Sequence, residues 1–286
     1  MASTDDAREH ALGPQDLPGC LELSKAAHWN QNAADWRLML EIGRGYGLSL
    51  ADGTLAASTV TLPYGKRFAW VSMVLVLPEH RRKGYATQLL KRALADLGAE
   101  RRAAILDATP AGHEVYSEEG FRDTWGFKRF ALAAFKANDS VDTAGVRPLE
   151  ARDWSRIAPL DEDAFGADRT RLLEALPIRL PAAALVCERA GEITGFLLGR
   201  EGREASQLGP LVARDAPSAR ALLAAALEQV APPLYLDLVD RESALAEWLE
   251  ALGFAFQRPF TRMVHGTDRA PGNASLVFCP AGPELG

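Results

Sequence analysis

The chain has 286 residues, is 48% hydrophobic and 24% charged, and carries a formal net charge of −6. That length suits two domains, and that balance is the one of a soluble globular protein and excludes a disordered one. It also excludes general nucleic-acid binding, which needs a basic surface, and the apolar runs are strand-sized, too short for a membrane span.

The N-terminal stretch "MASTDDAREHALGPQDL" is polar and acidic without an apolar run, so no secretory signal is expected. The three cysteines, Cys20, Cys187 and Cys279, are widely separated and odd in number. They predict a reduced, cytoplasmic protein with no disulfide framework and no metal site. Next come two helical patterns, "DLPGCLELSKAAHW" and "AADWRLMLEIG". "YGLSLADGTLAASTVTLPYG" reads as a hairpin around Asp52-Gly53, a pair that suits a turn with positive φ. "FAWVSMVLVL" is a long strand, "YATQLLKRALADLG" a helix ending at Gly98, and "AAILDAT" a short buried strand of the central, parallel kind. "AGHEVYSEEG" is a short helix, and "RDTWGFKRFALAAF" a strand pair or one bent strand.

The polar segment Lys136–Gly145 marks the domain boundary, dividing the chain into residues 1–137 and 146–286. Beyond it the plan repeats: two helices ("ARDWSRIAPLDEDAF", "RTRLLEALP"), a hairpin around Gly191, a strand "ASQLGPLVA", a helix "PSARALLAAALEQV", a strand "LYLDLV", a helix "SALAEWLEALGF" and a strand "QRPFTRMVHG". Landmarks align. Leu89-Leu90 and Leu222-Leu223 lie 133 residues apart, as do Gly120-Phe121 and Gly253-Phe254, while Leu106-Asp107 and Leu236-Asp237 lie 130 apart. This is the signature of an internal duplication. The closing "ASLVFCPAGPELG" supplies an extra strand for one of the two domains.

The stretch Val74–Leu90, "VLVLPEHRRKGYATQLL", joins an apolar strand to a helix through a cationic glycine turn. A helix N-terminus offers unpaired N–H groups and the positive end of the macrodipole, which together hold phosphate or pyrophosphate. Gly84 lets the backbone approach an anion, Ala86 is small enough to do the same, and Arg81, Arg82 and Lys83 add positive field.

"RRKGYA" resembles the acetyl-CoA-binding motif of the GCN5-related N-acetyltransferase (GNAT) family, Gln/Arg-x-x-Gly-x-Gly/Ala, with Arg81, Gly84 and Ala86 at its fixed positions. "LDATPAGHEVYSEEGF" resembles the family's fifth strand and following helix, and places Tyr116 five residues before the Phe of a Gly-Phe pair. The resemblance covers the whole first half. It implies two tandem acyl-CoA N-acyltransferase folds of the α/β (α+β) class, each a mixed, mostly antiparallel twisted sheet flanked by helices. It also implies that the pantetheine arm of acetyl-CoA pairs with the strand backbone at Val74, Leu75 and Val76, and that the pyrophosphate rests on the N–H groups of Arg82, Lys83, Gly84, Tyr85, Ala86 and Thr87. An amine acceptor would attack the thioester directly, with Tyr116 as general acid. Trp29, Asn30 and Gln31 would wall the acceptor site, and His80 would add to the phosphate-side loop.

The general base stays open among Ser72 through a water, Asp107, Glu114 and Glu118, or solvent alone, because "AWVSMVLV" carries no carboxylate where many family members have a glutamate. His113 is expected to be exposed. In the second half Pro217 stands at the position of Gly84 and Leu249 at that of Tyr116. Proline removes an N–H and cannot take glycine's conformation, and leucine has no proton to give. The second domain is therefore expected to be degenerate, serving to shape the acceptor site or to form a homodimer. A non-catalytic acyl-CoA sensor is the competing reading of the whole.

Overall fold

The structure, a computed structural model, describes residues 7–136 and 141–286. The first six residues of the polar N-terminal stretch, and part of the expected boundary at Lys136–Gly145, lie outside the described residues. The chain divides into two compact units that are discontinuous in sequence. The first comprises Met1–Leu106, Glu114–Arg122 and Val264–Asp268, and the second Asp107–His113, Asp123–Met263 and Arg269–Gly286.

In the first unit, β1 (Arg8–Leu12), β2 (Arg44–Ser49), β3 (Leu55–Tyr64) and β4 (Phe68–Val76) form an antiparallel meander. The start of β5 (Ala103–Ala108) joins β4 in parallel. Strand β3 is buried at nine of its ten positions, as a central strand covered on both faces should be. Helices α1 (Leu17–Ala26) and α2 (Ala33–Ile42) pack on it, and so does α3 (Tyr85–Ala99), which also reaches β2 and β4. Leu89, Leu90, Ala93 and Leu97 repeat at helical spacing along the buried side of α3. Tyr116 and the rest of the C-terminal part of α4 (Pro110–Glu118) belong to this unit too.

The second unit has strand order β6-β11-β10-β9-β8-β7. These strands are β6 (Arg122–Leu132), β7 (Val146–Pro148), β8 (Leu185–Arg189), β9 (Glu192–Arg200), β10 (Ser206–Ala213) and β11 (Leu234–Val239). Helices α5 (Trp154–Phe165), α6 (Thr170–Arg179) and α7 (Ala216–Gln229) pack on β9, and α8 (Ser243–Leu252) follows β11. Strand β12 (Ala255–His265) comes next, and a short strand β13 (Val277–Cys279) pairs with β10. The segment expected as a strand pair or a bent strand is the single strand β6, and its residues Phe127–Leu132 pair antiparallel with Leu234–Val239 of β11.

The repeated landmarks have plain structural causes. Leu222 and Leu223 on α7 are fully buried, as Leu89 and Leu90 are on α3. Each Gly-Phe pair is a helix stop: Gly120 (φ 86°) and Gly253 (φ 110°) take the left-handed conformation that ends a helix, and Phe121 and Phe254 drop into the core at 3% exposure. Boundaries shifted where local backbone intervened. α1 stops at Ala26, short of the expected Trp29, and His28 sits at φ 55°. α3 runs through Gly98 to Ala99.

Candidate active site

The feature that organises the first unit is a break in β4. Ser58 faces Leu75 and Val60 faces Ser72, so two residues, Met73 and Val74, oppose the single Thr59. This is a β-bulge, which bends its strand and sharpens the local twist. Met73 carries it at φ 51°, a conformation costly for a side chain with a Cβ, and the Ser58 hydroxyl donates to the Met73 carbonyl at 2.7 Å. On its other edge, β4 pairs with β5 only from Phe68↔Ala103 to Trp70↔Ile105. Past Trp70 the two strands separate. Val74 and Val76 are half-buried and Leu75 is 5% exposed, its side chain in the core.

The chain leaves β4 through a short 3-10 turn, Pro78–His80, and reaches α3 across Arg81–Gly84. Arg82 (φ 60°) and Gly84 (φ 84°) are both left-handed, and no side chain caps α3. The first backbone bond of the helix is Gln88 N–H to the Gly84 carbonyl at 2.9 Å. A Cβ on Gly84 would meet nothing within 4 Å, so the turn is open to solvent. Arg81, Arg82 and Lys83 are exposed around it, with Lys83 Nζ 3.3 Å from His80 Nδ1 and Arg81 Nε 3.4 Å from the Val76 carbonyl. Tyr85 turns inward and packs with Leu89 and Ala93, while Ala86 and Thr87 are half-buried.

The corner between α1 and α2 is built by Asn32. Its side chain accepts from the Ala34 and Asp35 N–H groups, and Asp35 accepts from the Asn32 N–H at 2.9 Å, a reciprocal cap. Trp36 Nε1 donates to Ser24 Oγ at 2.9 Å and ties the two helices. This holds Asn30 and Gln31 at 4% and 2% exposure, with Trp29 half-buried beside them. Gln31 Oε1 and Ser72 Oγ are buried with no hydrogen-bond partner among the described residues. Neither fact could be read from sequence.

Tyr116 stands on the last turns of α4, its ring edge-on to Phe121 at 6.0 Å, and burial pushes its phenol above the usual tyrosine pKa. The base candidates separate clearly. Glu114 and Glu118 are exposed. Asp107 is held by Nε and Nη2 of Arg262, at 2.9 and 3.0 Å, within the second unit. Burial raises its pKa despite that partner. His113 is also in the second unit, at 2.8 Å from Asp123.

The second unit repeats the break. β10 and β11 pair at Ser206–Leu208 and Leu234–Leu236 and no further, and Gly209-Pro210 make a two-for-one bulge against β9. There the edge is not free: β13 pairs with it at Leu211↔Cys279 and Val212↔Val277.

Two models described as Acetyltransferase (GNAT) domain match the chain, one over residues 10–123 and one over residues 157–279, which together cover most of it. The chain belongs to the GNAT acetyltransferase family. It carries two such domains in tandem. Relatives include an uncharacterized N-acetyltransferase, YitH, of Bacillus subtilis, 21% identical over 85% of this chain and 86% of that one. Among solved structures, a putative acetyltransferase from Pyrococcus horikoshii is similar in fold over 100% of this chain and 98% of its own, with a TM-score of 0.81 at 20% identity. A tandem GNAT protein from the clavulanic acid biosynthesis pathway aligns over 92% and 99%, with a TM-score of 0.65 at 14% identity. In both units of this GNAT protein the sheet is mixed, mostly antiparallel and flanked by helices. Among the described residues no helix is long and apolar enough to cross a membrane.

Proposed function

We propose that the repeat spanning residues 1–137 is an N-acetyltransferase that moves the acetyl group of acetyl-CoA to a primary amine, and that the repeat spanning 146–286 turns over no acetyl-CoA. The observation that carries the first reading is the open edge of β4 beyond Trp70, leading directly into a left-handed, uncapped helix start at Gly84. An extended amide-bearing arm fits the strand edge, and an anion fits the helix start beside Arg81, Arg82 and Lys83.

The amine lone pair attacks the thioester carbonyl, the carbon–sulfur bond breaks, and the leaving thiolate takes a proton. Tyr116 is the donor in this reading. Its raised pKa keeps the phenol protonated at neutral pH, so the proton is present when the thiolate forms. The proton shed by the amine passes to solvent and restores the phenol. The two buried unpartnered oxygens, Gln31 Oε1 and Ser72 Oγ, suit the N–H groups of an amine or a relay water, since each is costly to leave unpaired. Catalysis on this plan rests on positioning and on exclusion of water.

Free-thiol release on mixing the full chain, acetyl-CoA and a panel of primary amines tests the reading. Turnover with at least one amine, lost in Gly84→Glu, is expected. Tight acetyl-CoA binding with no thiol release across the panel would establish a sensor in place of an enzyme.

A further inference from the structure

The strand edge of the second unit that matches the open edge of β4 is occupied by the chain itself. Strand β13 lies against both β10 and β11 where those two part. The residues that follow it, Ala281–Gly286, are all buried. Three arginines from three separate parts of the unit hold this segment by its backbone. Arg241 donates to the Val277 carbonyl at 2.5 Å and its guanidinium lies over the Phe278 ring. Arg200, at the end of β9, donates to the Ala281 carbonyl at 2.5 Å and pairs with Glu284. Arg169, from the loop joining α5 to α6, donates to the Gly286 carbonyl. Asp161 fixes Arg169 through two bonds of 2.8 and 2.9 Å, and Phe165 lies 3.9 Å beneath its guanidinium. Arg200, Arg169 and Glu284 are each at most 5% exposed.

We propose that the cleft of the second unit is a peptide-strand site, filled in cis by residues 277–286, and that it takes no acyl-CoA. The recognition is strand addition, backbone to backbone, with guanidinium anchors on carbonyls and one acidic side chain. The strand edge that would pair with a pantetheine arm is the edge that β13 uses, so the two occupants exclude each other. The arginines that hold the segment suit an extended peptide with a glutamate five residues beyond the strand, as Glu284 follows Cys279. The stoichiometry part of the test rests on the acyl-CoA reading of the first unit; the exchange part does not.

Hydrogen–deuterium exchange on the full chain reads the occupant directly. The Val277–Cys279 amides are expected to exchange about 100-fold or more slower than in a free peptide, with or without saturating acetyl-CoA. Arg200→Ala should speed them at least tenfold. Fast exchange in the unaltered chain, or exchange that speeds up when acetyl-CoA is added, overturns the proposal. Calorimetric titration should find one acetyl-CoA per chain, and two per chain would also overturn it. A titration that finds no binding, with Val277–Cys279 still protected, upholds the proposal and removes the reading of the first unit instead.

Discussion

At the scale of single residues, the environment of Tyr116 decides what it can do. Burial lifts its pKa, so the phenol stays protonated up to at least about pH 10 and is available as an acid across the working range. Tyr116→Phe is expected to lower kcat by about 10²-fold or more with little change in the KM for acetyl-CoA. The kcat–pH profile of the unaltered chain should show no descending limb below about pH 9 that Tyr116→Phe abolishes. Such a limb would remove its role. Position and residue type were legible through the resemblance, but the half-buried setting of the ring against Phe121 was not. Asp153 offers a sign of the opposite kind. Arg147 grips it with bonds of 2.7 and 2.8 Å and holds its pKa below the ordinary carboxylate value. That contribution to stability is fully present above the unfolded value of about 4 and is lost as pH falls through the lower folded value. Thermal melts taken downward from about pH 5 should therefore fall more steeply for the unaltered protein than for Asp153→Asn.

At the scale of elements, the bulge in β4 bends and twists the strand just past its last pair with β5. Removing the Ser58 hydroxyl takes away the bond that steadies Met73 in its left-handed backbone. Ser58→Ala should cost about 1 kcal/mol in chemical denaturation and raise the KM for acetyl-CoA several-fold, with kcat nearly unchanged. An unaltered KM would detach the bulge from cofactor binding. The helices and the long strands were readable because their apolar periodicity is strong, as in Leu89, Leu90, Ala93 and Leu97. The short strands β1 and β7 were not, since Arg8–Leu12 and Val146–Pro148 are brief and mixed in polarity. The bulge itself was hidden as well. A two-for-one register is settled by the partner strand, and "WVSMVLV" reads as uninterrupted strand.

At the scale of the whole molecule, the duplication shows itself in two buried ion pairs inside the second unit. Asp107 bonds Arg262, and Asp237 bonds Arg129 at 2.8 and 2.7 Å. The two aspartates are the Leu-Asp landmarks found in sequence. The arginines stand 133 residues apart, the offset of the Leu-Leu and Gly-Phe landmarks, but nothing local marked them as partners. Because the groups are almost fully enclosed, losing one member strands the other. Asp107→Asn and Asp237→Asn should each cost about 3–5 kcal/mol in denaturant unfolding, whereas exposed pairs such as Lys128–Asp240 should cost little. Each pair takes its acid from one half of the sequence and its base from the other. A gene cut between the halves would thus give two polypeptides, each holding one acid and one base that belong to the other. Expressed singly, residues 1–136 and 141–286 are expected to be insoluble; expressed together, they should copurify as a complex. A lone ancestral copy would have met the same need by pairing with its twin. In one chain that partner is tethered, so the two pairs form at an effective concentration that does not depend on how much protein is made.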